Sequence, residues 1–158
     1  MKIRKIIFFI FLSFSIFLSG CTIFVPGYKE YSTAKKYFNN GNYYQTVLYL
    51  SKSLQKKPAN DKALKLLELA YPMAINQHES RAAILREKTD KSKWPDLVNE
   101  YEVLNKLSNE IVTLKSIIKI KIDYQLELAI KDYSYQLNES KPLAADYHYM
   151  KGLDYKEN

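Results

Sequence analysis

An all-α fold is what this sequence predicts, and three observations carry the prediction. Only four glycines are spread through 158 residues, so long stretches run without a breaker. Apolar residues recur mainly at spacings of three and four, as the buried face of a helix requires. The breaks that do occur, "NNGN", "KKPAND" and "DKSKWPDL", fall between such stripes and have the length that joins antiparallel helices. With 47% hydrophobic and 26% charged residues, the composition is that of one globular domain and not of a disordered chain. Fourteen tyrosines add large side chains that can be half buried with a hydroxyl in water.

The first twenty residues are a different material. "MKIRK" carries three positive charges, and thirteen residues from Ile6 to Leu18 follow with only serine interrupting the apolar run. This is the pattern of a signal peptide, residues 1–20. The run is short for a bilayer, whose hydrocarbon needs roughly 20 helical residues to cross. Continued through "SGCTIFV" it would almost reach that length, and an uncleaved anchor helix is the alternative.

Directly after the run stands Leu18-Ser19-Gly20-Cys21, in which small residues let the backbone enter a peptidase site and a thiol waits at the cut. Cys21 is the single cysteine, so no disulfide can form within the chain. The stretch resembles the lipobox of bacterial lipoproteins at every position. That resemblance implies cleavage before Cys21 and a covalent lipid on it, with no other cofactor. One acyl chain gives marginal membrane binding and two or more hold stably. Thr22, not aspartate, follows the cysteine, which by the same resemblance implies the outer membrane facing the periplasm. In a single-membrane organism it implies the outer face of the plasma membrane. Removing residues 1–20 takes away Lys2, Arg4 and Lys5, so the net charge falls from +7 to +4. That modest, scattered excess on an exported chain speaks against a nucleic-acid partner.

Residues 21–27 then form the lipidated cysteine and a short tether ending in Pro-Gly, and 28–158 form the domain. A first helix places Tyr31, Ala34, Tyr37 and Phe38 on one face, and "NNGN" breaks it. A second places Tyr43, Val47, Leu50 and Leu54 together, and Pro58 stops it. Asn60 or Asp61 can cap a third, which opens with Leu64, Leu67 and Tyr71. Aligned on Gly41 as the turn, residues 27–60 resemble a tetratricopeptide repeat of 34 residues. The matches are Ala34, Tyr37, Gly41, Tyr43, Leu50, Ser53 and Pro58; Glu30, Thr33 and Thr46 depart from the pattern. The resemblance implies αα-hairpins stacked into a short α-solenoid.

The next stretch keeps the phase and then fails, with Ile75 at the turn-glycine position and Pro72 inside. A longer helix to about Lys88, kinked near Pro72, is expected instead. A fourth runs from about Pro95 to Lys115, striped by Leu97, Tyr101, Leu104, Leu107, Ile111 and Leu114, and makes a long central hairpin with the third. Its glutamates Glu100, Glu102 and Glu110 read as exposed charges. "SIIKIKIDY", 116–124, alternates like a strand and reads as an extended link or a frayed helix end. Helix returns over 125–137, with Leu126, Ala129, Ile130, Tyr133 and Leu137 on one face. "NESKP" breaks it, and Pro142 opens a last helix. On the repeat template, 142–158 is the first half of a hairpin: a truncation, a cap, or a helix that a partner completes.

Catalytic chemistry is hard to assemble from these residues. His78 and His148 lie in separate segments, and no zinc-ligand spacing, nucleophile triad or phosphate-binding glycine loop is present. The expectation is a lipid-anchored, non-enzymatic protein, without metal, that holds other envelope proteins on its helical surface. Tyr37, Asn40, Tyr44, Lys62 and Lys65 are the candidates for a concave binding face, with Tyr149 and Tyr155 in the last helix. For Tyr37 and Tyr43 the competing reading is simple core packing. A second functional class is a cell-wall or small-ligand binder with a pocket between the long helices near Trp94.

Overall fold

The computed structural model of the chain describes residues 25–157; residues 1–24, which include the expected signal segment and Cys21, and Asn158 lie outside the described residues. Among the described residues five helices follow in order: α1 Tyr28–Asn39, α2 Tyr43–Lys56, α3 Asp61–Glu87, α4 Lys93–Ile122 and α5 Ser134–Glu157. No strand occurs among the described residues, and the fold is all-α.

α1 and α2 make an antiparallel hairpin. Gly41 turns it at φ 70°, a left-handed conformation that costs glycine nothing. Asn42 caps α2 by accepting the Gln45 N–H at 3.2 Å. Ala34 is fully buried, and its small side chain lets α1 approach α2. At the far end of the hairpin Gly27 is also left-handed, at φ 78°, and its carbonyl accepts the Ser53 hydroxyl at 2.7 Å. A Cβ on Gly27 would stand 2.6 Å from the Ser53 carbonyl oxygen. The last residue of the tether is therefore built into the domain. Gly27→Ala is expected to lose at least about 1–2 kcal/mol from the left-handed backbone alone, with the clash added. A urea-unfolding midpoint equal to that of the parent would show that this packing does not exist.

α3 and α4 form the long central hairpin that the stripes predict. Their 27 and 30 residues span about 40 and 45 Å at 1.5 Å per residue. Asn60 caps α3 by accepting the Ala63 N–H. Pro72 sits on the solvent side of α3, where water can reach the carbonyl its missing N–H leaves free, and the helix runs through it. α2 packs against both long helices. Leu50, Leu54, Leu67, Leu104, Leu107 and Ile111 are fully buried between them.

Three expectations fail beyond Lys115. The helix does not stop there: "SIIKIKI" completes α4, because Ile118 extends the buried line of Leu107, Ile111 and Leu114 while Lys119 and Lys121 reach water. The 3–4 spacing outweighs the local alternation. Asp123, at φ 49°, then ends the helix in the left-handed region.

Residues 123–133 are not helical, contrary to the stripe assigned to 125–137. This strap climbs back along the central hairpin with its backbone bonded to α4 side chains. Ser108 Oγ donates to the Lys131 carbonyl at 2.8 Å, and Lys115 Nζ donates to the Leu128 carbonyl at 3.0 Å. Asn105 Oδ1 accepts the Tyr133 N–H at 2.9 Å. Leu126 and Tyr133 are buried, whereas Ala129 and Ile130, expected on the same face, are exposed.

The third failure is the break at "NESKP". α5 passes through it, and Pro142 lies inside the helix, not at its start. Pro142 is exposed, so the carbonyl it cannot serve is open to water. The first half of α5 packs on α4, with Ser140 and Ala144 buried. Residues 148–156 are all exposed.

Candidate functional site

Near the α1–α2 turn, Tyr37 stacks on Tyr49 with ring centroids 5.4 Å apart, so it is partly consumed by packing within the hairpin. Asn40 is exposed in the turn. Tyr44 meets the His78 ring edge-on at 5.9 Å, and Lys106 Nζ lies 5.8 Å from its centroid. Lys62 and Lys65 are exposed at the start of α3, at the other end of α2. With 14 residues in α2, about 20 Å separates them from Asn40. The five candidates thus fall at the two ends of α2 and do not form one patch.

Behind Tyr44 lies a pair that the helix stripes concealed. His78 on α3 and Glu100 on α4 are both buried, and His78 Nδ1 is 2.5 Å from Glu100 Oε2. Glu100 is therefore not the exposed charge expected of it. Glu110 also turns inward, accepting from Ser51 and Gln55 on α2, while Glu102 stays exposed. A signal was present: Glu100 is three residues after Leu97 and four before Leu104, on the apolar line itself. His148 is exposed on α5 against Tyr147. Among the described residues no group of His, Cys, Asp and Glu is arranged to hold a metal.

A cleft of about 500 Å³ opens beside Trp94, between the α3–α4 end of the hairpin and α5. Trp94, Leu97 and Tyr101 of α4 face Gln136, Ser140 and Leu143 of α5 across it, and Arg86 and Lys93 complete the wall. Arg86 stands over the Tyr101 ring at 5.5 Å and Lys93 over Trp94 at 5.0 Å. The Tyr101 hydroxyl and Gln136 Oε1 are buried with no hydrogen-bond partner among the described residues. Such groups cost about 1–3 kcal/mol each unless something pairs with them. The hydroxyl is a donor and the amide oxygen an acceptor, on two residues that both line the cleft; a ligand would meet them only after the side chains turn outward.

A smaller cleft, about 400 Å³, lies under the strap between Tyr71, Ile75, Leu128 and Tyr133. Glu79 clamps the strap there, accepting from Lys131 Nζ and the Tyr133 hydroxyl, both at 2.8 Å. Burial, and then the bond to Glu79, push the Tyr133 hydroxyl well above the usual phenol value. Burial alone would raise the Glu79 carboxyl, but the bonds from Lys131 and Tyr133 outweigh it and leave the group below the ordinary glutamate value. A depressed carboxyl stabilises the fold fully above its unfolded pKa, and that stability is lost as the pH falls through the folded value. Protection factors for amide exchange in 123–133, corrected for the intrinsic slowing of exchange in acid, should therefore fall on acidification, and Glu79→Gln should remove that acid sensitivity. Unchanged strap protection in the parent from neutral to acid pH would refute the clamp.

The end of α5 is the remaining unusual surface. Tyr149, Met150, Leu153 and Tyr155 are exposed, Tyr155 to 81%. Comparison of the chain with protein-family models, with curated proteins and with solved structures gives no match.

Proposed function

We propose that this chain is a lipid-anchored, non-enzymatic helical protein that binds or scaffolds other proteins at the bacterial envelope, as in outer-membrane or secretion and pilus assembly. The observation that carries the reading is the exposed apolar end of α5. Tyr149, Met150 and Leu153 fall on one face of the helix at spacings of three and four, large apolar side chains are costly to leave in water, and an apolar helix face of this kind is what a partner groove accepts. Its position fits the role. Val25, four residues from Cys21, lies with the start of α3, whereas α5 passes the α3–α4 turn some 40 Å away. A chain anchored through Cys21 would present α5 away from the bilayer.

The first hairpin is compatible with the same reading. Ala34 and Ser53 are buried, Gly41 turns left-handed, and Asn60 starts the next helix, features that support the tetratricopeptide resemblance of 27–60. The long α3–α4 hairpin departs from it, so one repeat-like unit adjoins a different helical body.

A benzophenone photocrosslinker at Tyr149 of the membrane-bound chain tests the proposal. A discrete protein adduct that disappears with Leu153→Asp is expected. No adduct from Tyr149 or from Trp94 would sink it.

A second reading has its own observation, the unpaired Tyr101 and Gln136 groups in the Trp94 cleft. It makes the protein a binder of cell-wall fragments or small amides. Trp94 is the single tryptophan, so its fluorescence reports the cleft directly. Saturable quenching by N-acetylated wall fragments, weakened in Tyr101→Phe, would establish it, and a flat titration would remove it.

A further inference from the structure

The end of the molecule nearest Cys21 has a composition of its own. It gathers the start of α1, the α2–α3 connection and the last turn of α4, that is residues 25–30, 56–62 and 119–124. Val25, Pro26 and Tyr28 share a surface cleft with Lys57, Asp61 and Lys62. Antiparallel pairing brings the end of α4 to the same level, and Tyr124 bonds Glu68 one helical segment above Asp61. Six lysines fall in these segments, Lys29, Lys56, Lys57, Lys62, Lys119 and Lys121, and all are exposed. The same segments carry three carboxylates, Glu30, Asp61 and Asp123, with Glu68 and Glu127 beside Tyr124, and Glu30 is already paired with Lys56 at 2.6 Å. At the opposite end, residues 83–96 and 146–156, six cations are nearly balanced by five carboxylates.

Apolar groups stand among those lysines. Ile120 is 83% exposed between Lys119 and Lys121, and Val25, Tyr28 and Tyr124 are exposed at the same end. A buried partner within the fold does not explain Ile120, since α4 already buries Ile118 and half buries Ile122 on its inner side. Exposed aliphatic and tyrosine side chains ringed by long lysines are the chemistry of a membrane interface. The rings and methyls enter the boundary of headgroups and acyl chains while the ammonium groups meet phosphate.

We infer that this lysine-ringed end is a second membrane contact, which docks on an anionic phospholipid surface and stands the helical body upright on it. The inference rests on the lipid anchor at Cys21. Three residues stand between Cys21 and Val25, so the four steps span at most about 14 Å of extended chain. The lysines are thus held close to the range of the surface potential, whose screening length is about 8 Å at physiological salt. A lipid alone would leave the domain free to tumble on its tether, whereas this surface fixes which end faces out. It gives α5 its outward direction.

The test uses the full acylated chain carrying Ile120→Cys. Cys21 is the single native cysteine and is blocked by its thioether, so a fluorophore attaches at 120 alone. An Ile84→Cys chain, with Ile84 exposed on the last turns of α3, is the control. Both are placed in vesicles of phosphatidylcholine with and without phosphatidylglycerol, together with a lipid-borne quencher. In phosphatidylglycerol vesicles the label at 120 should shift to the blue and lose most of its emission, while the label at 84 keeps its own. Lys57→Glu, Lys119→Glu and Lys121→Glu combined should restore emission at 120. Vesicle flotation is measured on the same samples. A chain that floats while the label at 120 behaves like the label at 84 overturns the docking surface and leaves the anchor standing. A chain that does not float overturns the anchor and the docking with it.

Discussion

His78→Ala is expected to lower the stability of the folded chain by about 3–5 kcal/mol. The ring nitrogen that it removes bonds Glu100 in the interior between α3 and α4, where both side chains are almost fully buried. Losing it leaves a carboxylate out of water without that partner, and the cavity left by the ring adds to the loss. Against a total stability of about 5–15 kcal/mol for a domain, this is the largest effect expected of one substitution here. Tyr44 loses its edge-on neighbour at the same time, so α2 loosens against the central hairpin. The double variant His78→Leu with Glu100→Leu separates the causes. It removes both polar groups and fills the space, and should recover most of the loss, because apolar replacements of buried pairs are often neutral or better. Urea unfolding of the two variants decides the matter. If His78→Ala costs less than about 1 kcal/mol, the pair is not the buried contact described.

Glu100 also shows what sequence periodicity reads and what it does not. Stripes located α1 to α4 because each reports one helix face, and Ala34, Leu50, Leu67 and Leu107 are buried as their spacing requires. A stripe says which positions turn inward and nothing about a polar residue lying on it, so His78 and Glu100 were legible only as a pair facing each other across two helices. The strap failed for a related reason. Its periodicity suits a helix, but Asn105, Ser108 and Lys115 supply its backbone with partners, and Glu79 clamps its end. Those groups lie up to 54 residues away in sequence, as Glu79 does from Tyr133. The Trp94 cleft was legible only in part: the breaker before α4 puts the tryptophan at the hairpin end, but the cleft expected between the long helices opens instead between that end and α5. Its unpaired Tyr101 hydroxyl was not legible, because the stripe marks Tyr101 only as buried.

Cys21→Ser is expected to move the chain from the membrane fraction to the soluble one, the largest effect expected on location. The diacylglyceryl group of a lipobox protein is carried on sulfur, and a serine hydroxyl is a far weaker nucleophile. Each buried methylene contributes about 0.8 kcal/mol, and a single chain already binds only marginally, so on the proposed lipid-anchor reading the loss of both acyl chains would remove nearly all of the anchoring energy. The apolar run Ile6–Leu18 has thirteen residues, which even as a helix would reach only about 20 Å of a hydrocarbon layer of about 30 Å. Two kinds of residual binding remain, and salt distinguishes them. Contact through Lys57, Lys119 and Lys121 is screened by salt, so a serine variant held only by that end should wash off in high salt. Retention through a salt and carbonate wash would mean that the first residues stay in the bilayer as an uncleaved helix, and the lipid anchor would be withdrawn. Mass spectrometry of the parent chain closes the argument from the other side, since a parent without a diacylglyceryl adduct on Cys21 would withdraw it equally.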